Sequence, residues 1–184
     1  MLVVRRPSGL TRARLELLEA RVAIEEIVYQ YARACDRMDE AMLRDCFWPD
    51  ALHQHGRFSG ASHDFVGYAM SVLATMRFSA HHVTNVSMEI RGARGFSECH
   101  FLAHHRRSET PEQPERDDFY EGRYLDFFER RGGTWKIVRR RGLNDFVSAA
   151  FAANVPYAAW PVGQHSERAP DDAYYEMRAA FRAF

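Results

Sequence analysis

The sequence is poor in cysteine, has no surplus of either charge and contains no long apolar run. Its 3 cysteines, Cys35, Cys46 and Cys99, are an odd number without CxxC spacing, which argues against a disulfide framework and against a zinc ribbon. They read as buried free thiols. The 25 basic and 25 acidic residues cancel, so there is no overall field to hold a nucleic acid or an anionic membrane, and neither is expected as a partner. No segment has the roughly 18 consecutive apolar residues of a membrane span, and the opening MLVVRRPSGLTRAR has too short an apolar run for a signal-peptide core. The cytoplasm is the expected location. There is no HExxH, GxSxG, P-loop or GxGxxG, so neither a metalloprotease-type zinc site, nor a serine nucleophile, nor a nucleotide site has a positive sign. No internal repeat or low-complexity tract is present.

What is there suits one globular domain spanning residues 1–184, with a core of about 12–146 and a C-terminal extension of 147–184. The 13 Phe and 8 Tyr exceed what a minimal core demands and would suit an apolar pocket. From Thr11, a candidate N-cap, to about Ala34, the residues Leu15, Leu18, Val22, Ile24, Ile27, Val28 and Tyr31 recur at helical spacing. A short helix over EAMLRDCF follows, closed by a turn at Trp48–Asp50. Residues 52–58 read as a short strand, and HDFVGYAMSVLATM as a second long helix. After Ser79 the period shifts toward two. Strands are expected over about 81–90, 96–106, 118–130 and 134–146, with Gly132-Gly133 turning a hairpin between the last two. A last short helix starts near Asp171. Helices first and an antiparallel sheet afterwards make an α+β protein.

Several residues could carry chemistry. Asp36 falls where the first helix should end, a position that opposes its ionised form; it either serves a function or lies on the surface beside Arg37. His81 and His82 open a strand, so one ring faces in and the other out. An inward histidine beside a carboxylate can move protons near neutral pH; a satisfied core imidazole is the alternative. HFLAHHRR puts His100 and His104 on one strand parity, and HQH does the same for His53 and His55. Nine histidines raise the question of metal, but the spacings of the usual zinc sites are missing. In WKIVRRRGLNDF, Arg139, Arg140 and Arg141 cannot all share a face. A buried member would need a partner and could stabilise negative charge; an exposed basic edge is the alternative.

Taken together, IEEIVYQYARACDRMD, HHVTN, SECHFLAHHR and GTWKIVRRRGLNDF resemble, in order and interval, the SnoaL-like branch of the NTF2-like superfamily over roughly residues 21–146. The resemblance implies a cone-shaped α+β fold with helices on a curved antiparallel sheet around a deep apolar cavity. Its enzymes include scytalone dehydratase, bile acid dehydratase, hexachlorocyclohexane dehydrochlorinase, polyketide cyclases and ketosteroid isomerase. In the dehydratase-like members an Asp late in the first helix pairs with a His four residues before an Asn or Gly. Through Asn85 that spacing selects His81 rather than His82, with Asp36 as its partner. By the same resemblance Tyr31, His104 and Arg140 occupy polar positions of the cavity.

The resemblance therefore implies a lyase of dehydratase type that needs no metal or organic cofactor and acts on a hydrophobic cyclic or aromatic alcohol. His81 would abstract a proton, Tyr31 and His104 would polarise or protonate the leaving oxygen, and Arg140 would stabilise enolate or phenolate charge. The alternatives are a C–C lyase releasing formaldehyde from a lignin-derived phenolic, a steroid-type isomerase and a non-catalytic small-molecule binder, since the fold does not fix the reaction. The family and the apolar tail NVPYAAWPV also imply a homo-oligomer, a trimer in preference to a dimer.

Overall fold

The computed structural model describes residues 12–159 and 165–184; Thr11 and the tail residues Trp160, Pro161 and Val162 lie outside them. The first helix, α1 (Arg12–Arg37), buries Ala20, Ile24, Val28, Tyr31 and Cys35, a stripe with steps of three and four. Leu15, Leu18 and Val22, expected on the same apolar face, are about half exposed. The helix ends when Met38 takes a left-handed conformation (φ 50°), and the Met38 and Asp39 N–H groups donate back to the Cys35 and Ala34 carbonyls at 3.2 and 2.9 Å. This is a Schellman termination, with Asp36 held in the last turn. Asp39 then caps α2 (Glu40–Asp45) by accepting from the Met42 N–H.

The expected turn at Trp48–Asp50 is absent. These residues belong to β1 (Phe47–His55), and the register against β6 (Thr134–Val147) is broken between Phe47 and Leu52. Pro49, which has no N–H to give, sits in that interruption. Trp48 fastens the stretch by donating from its indole nitrogen to the Glu129 carbonyl at 3.0 Å. A tight turn then leads to β2 (Phe58–Ala61), so the expected short strand is in fact a hairpin. Next come α3 (Ser62–Leu73), β3 (Met76–Arg91), β4 (Arg94–Arg107), β5 (Arg116–Arg131), β6 and the short β7 (Phe151–Ala152). β3 begins before the expected residue 81, because Met76–Ala80 pair with the far end of β4.

The strands form one open, curved sheet in the order β2-β1-β6-β5-β4-β3, with β7 beside β5. The sheet is mixed rather than wholly antiparallel, because β1 runs parallel to β6; the other pairings are antiparallel. α1 and α3 lie against one face of the sheet and enclose the core with Cys99, Phe101, Tyr124, Phe128 and Ile137. All three cysteines are free and buried. The expected last helix is α4 (Ala173–Arg182), capped by Asp172. Among the described residues no helix is long and apolar enough to cross a membrane.

Candidate active site

The last turn of α1 delivers Asp36 to the start of β3. Its carboxylate stands at the negative end of the helix dipole, an unfavourable place for an anion. Three donors from β3 compensate. The His81 backbone N–H donates to Oδ2 at 2.9 Å, Ser79 Oγ donates to Oδ1 at 3.3 Å, and His81 Nδ1 lies 2.6 Å from Oδ1. With Nδ1 committed to Asp36, Nε2 is the nitrogen left for another partner. His82, the next residue, is exposed on the other side of the strand. Asn85, four residues after His81, takes a positive φ of 52° in a register shift of β3. Asparagine tolerates that conformation better than most residues, which gives the His-to-Asn interval a physical basis.

His81 lines a cavity of about 250 Å³. Phe65, Val72, Leu73, Met76, Phe101 and Ala103 provide apolar wall. Tyr31 belongs to the lining, and burial pushes its phenol well above the ordinary value. It therefore stays protonated and can donate a hydrogen bond.

His104 is not a cavity residue. Strand alternation places Phe101, Ala103 and His105 on the cavity side and His104 on the other. There His104 Nε2 bonds Asp117 Oδ1 at 2.8 Å, and its ring stacks on Phe119 at 4.6 Å. The imidazole that faces His81 is His105, with ring centroids 5.9 Å apart. Burial and the neighbouring His81 lower its pKa to about 4, so it is neutral at pH 7. Its Nδ1 is 3.4 Å from Oδ1 of the buried Asp118, too loose for a good hydrogen bond.

Arg140 is sealed rather than exposed to the cavity. Its side chain has 0% accessibility and forms a bidentate pair with Asp126, at 2.7 and 2.6 Å. The guanidinium lies 3.8 Å from the centre of the Tyr31 ring and 4.5 Å from that of Tyr124. It supports the aromatic floor from beneath the cavity lining, and its Nη1 has no hydrogen-bond partner among the described residues. Arg139 and Arg141, on the other face, are exposed.

β1 contributes both members of HQH to the cavity side. His53 is buried and stacked on Phe65 at 3.5 Å, with neither ring nitrogen bonded to a described residue. His55 lines the cavity, and burial, Arg140 and His81 lower its pKa to about 4. Its ring rests over Gly142, where a Cβ would come within 2.6 Å of Cδ2. Arg107, Tyr120 and Asn144, each partly or wholly exposed, also belong to the lining. Sequence reasoning missed His105, Arg107 and Asp118. The parity of Cys99, Phe101 and Ala103 could have found the first two. Among the described residues no three His, Cys, Asp or Glu side chains gather as a metal-binding set.

The chain belongs to the SnoaL-like domain family, whose model matches residues 16–141. No curated protein matches it. Among solved structures, a type 2 hexachlorocyclohexane dehydrochlorinase is similar at 22% identity and a TM-score of 0.69, covering 82% of this chain and 99% of its own. A protein of Novosphingobium aromaticivorans assigned as a scytalone dehydratase aligns at 22% identity and a TM-score of 0.65, covering 84% and 99%. The type 3 dehydrochlorinase of Novosphingobium barchaimii aligns at 19% identity and a TM-score of 0.67, covering 78% and 97%. Likeness at these identities establishes the fold.

Proposed function

We propose that the protein is a lyase that removes water from a small hydrophobic cyclic or aromatic alcohol, without a metal or organic cofactor. The observation that carries this reading is the 2.6 Å contact between His81 Nδ1 and Asp36, at the wall of a cavity whose lining is mostly apolar. A volume of about 250 Å³ falls just below the range of drug-sized pockets, roughly 300–1,000 Å³. That favours a one- or two-ring substrate over a steroid. The dehydratase and dehydrochlorinase names among the structural neighbours add support of the same kind.

In this reading His81 Nε2 takes a proton from carbon, and the C–H electrons form the new double bond as the C–O bond breaks. Asp36 stabilises the imidazolium and fixes its tautomer. Neutral Tyr31 and His105 donate hydrogen bonds to the departing oxygen. The imidazolium then returns its proton to that oxygen, water leaves, and every side chain ends as it began. His105 here takes the part first expected of His104.

The experiment is a panel of cyclic and aromatic alcohols, lignin-type dimers and steroids read by mass spectrometry. Loss of water supports the proposal; loss of a one-carbon fragment or an isomer of unchanged mass would replace it. On the converted substrate, His81→Ala and Asp36→Asn should each lower turnover by about a hundredfold to ten-thousandfold. Their combination should add little, because the two act as one unit. His82→Ala and His104→Ala should remain within about twofold. A binding protein would show no turnover for any of these proteins.

A further inference from the structure

The arginines of β4 and β6 are used in two different ways. Arg140 is bidentate to Asp126 and fully buried. On the convex side Arg106 spends its whole donor edge: Nε and Nη2 on Asp117 at 2.7 and 3.0 Å, and Nη1 on Glu115 at 3.2 Å and the Val155 carbonyl at 3.0 Å. These two are structural cross-links. Arg107, next along β4, points the opposite way and lines the cavity.

Arg107 makes one short contact, Nε to Asp118 Oδ2 at 2.6 Å, and a long one from Nη2 to the Tyr120 hydroxyl at 3.5 Å. Nη1 bonds to no other described residue. The side chain keeps 31% of its surface while Asp118 keeps 5%. Arg107 is therefore the accessible member of the pair, and it lines the cavity while Asp118 does not. Apart from the histidines, Arg107 is the only charged side chain among the described residues that line the cavity. Tyr120 and Asn144 stand with it in that lining and add neutral donors. A guanidinium edge with a free Nη1, beside the Tyr120 hydroxyl, matches a planar carboxylate.

We infer that the substrate is an anionic one, a hydrophobic ring bearing a carboxylate that Arg107 holds while the ring lies against the apolar wall. Asp118 keeps the guanidinium oriented. The inference rests on this cavity being the substrate site and adds to that reading the chemical class of what enters.

The test uses binding rather than turnover, so that its failure is distinct from failure of the lyase reading. 2-Naphthoate and the isosteric neutral alcohol 2-naphthylmethanol are titrated into the full chain at pH 7, followed by calorimetry and by amide chemical shifts. The carboxylate should bind about tenfold or more tightly than the alcohol, as a charge-assisted bidentate contact provides. Arg107→Gln should bring the ratio near one by weakening the acid alone, and Arg107→Lys should retain part of the preference. Because Arg107→Gln leaves buried Asp118 without its partner, Arg107→Gln combined with Asp118→Asn is measured beside it; this neutral pair should fold and also show no preference. Equal binding of acid and alcohol to the unaltered protein would overturn the inference. So would a carboxylate preference that survives both Gln variants, or no binding of either probe.

Discussion

Removing the Arg140 guanidinium separates a structural role from a catalytic one. Asp126 and Arg140 are both fully inaccessible, and their two contacts of 2.7 and 2.6 Å use both carboxylate oxygens. Arg140→Met leaves a carboxylate in the core with neither water nor counter-charge, at a cost of about 3–5 kcal/mol. For a domain of this size each kcal/mol moves the midpoint by about 2–4 °C, so the melting temperature should fall by about 6–20 °C. Replacing both partners, Arg140→Met with Asp126→Val, removes the stranded charge and keeps the volume similar. It should recover most of the loss or exceed the original stability. Thermal and urea unfolding of the three proteins give the comparison. A single variant within about 1 kcal/mol of the parent, or a double variant no better than the single, would refute the reasoning. If the double variant is stable and turns over substrate at the parental rate, Arg140 has no direct part in catalysis.

Acid stability should report the cavity imidazoles. Burial lowers His53 to about 2 and His55 to about 4, and burial with His81 lowers His105 to about 4. Unfolded, each titrates near 6.5. Between about pH 6.5 and 4 the unfolded chain therefore binds more protons, and stability falls on acidification by up to about 1.4 kcal/mol per pH unit for each group. Urea midpoints at pH 7 and pH 5 should show this slope, and His53→Leu should reduce it by about one imidazole's share; an unchanged slope would mean that His53 is not held neutral. Arg168→Ala should release residues 165–172, because its Nη1 donates to the Asp36 carbonyl at 3.1 Å and its Nη2 to the carbonyls of Met76 at 3.0 Å and Leu73 at 3.5 Å. Faster amide exchange or proteolysis in that segment, with a loss of about 1.5–3 kcal/mol, is the expected result; unchanged protection would reject the clamp.

The fold was legible where periodicity is governed by burial, and illegible where a partner distant in sequence decides. α3 and the β5–β6 hairpin sit close to their expected places because one face of each is buried and the pattern follows from that. Trp48–Asp50 read as a turn because proline and aspartate favour turns locally, yet the indole bond to Glu129 and the broken register with β6 hold the stretch as strand. The parallel β1–β6 pairing has no local signature at all. At the site, Asp36 could be read from the helix end, whereas only the family resemblance through Asn85 selects His81 over His82; the Asp36 and His81 side chains are in contact. His104 was misplaced because an alignment of intervals carries a one-residue ambiguity, and one residue turns a side chain to the opposite face of a strand.

The C-terminal extension bears on the site itself. A helix ends with carbonyls that have no partner within it, and in α1 two of these belong to Asp36 and Arg37. The extension supplies both donors, Arg168 for Asp36 and the Ala169 N–H for Arg37 at 2.7 Å. Arg37 in turn donates to the Glu167 carbonyl and to Asp172, and Tyr175 donates to Asp39 at 2.8 Å. The extension residues in these contacts, Glu167, Arg168, Ala169, Asp172 and Tyr175, lie beyond residue 141, where the family match ends. The carboxylate that orients His81 is therefore fixed from two sides, by β3 through its oxygens and by the extension through its backbone. A cation at this end of α1 also opposes the helix dipole that disfavours the Asp36 anion. The same contacts that fasten the tail thus help to hold the Asp36 carboxylate in place against His81.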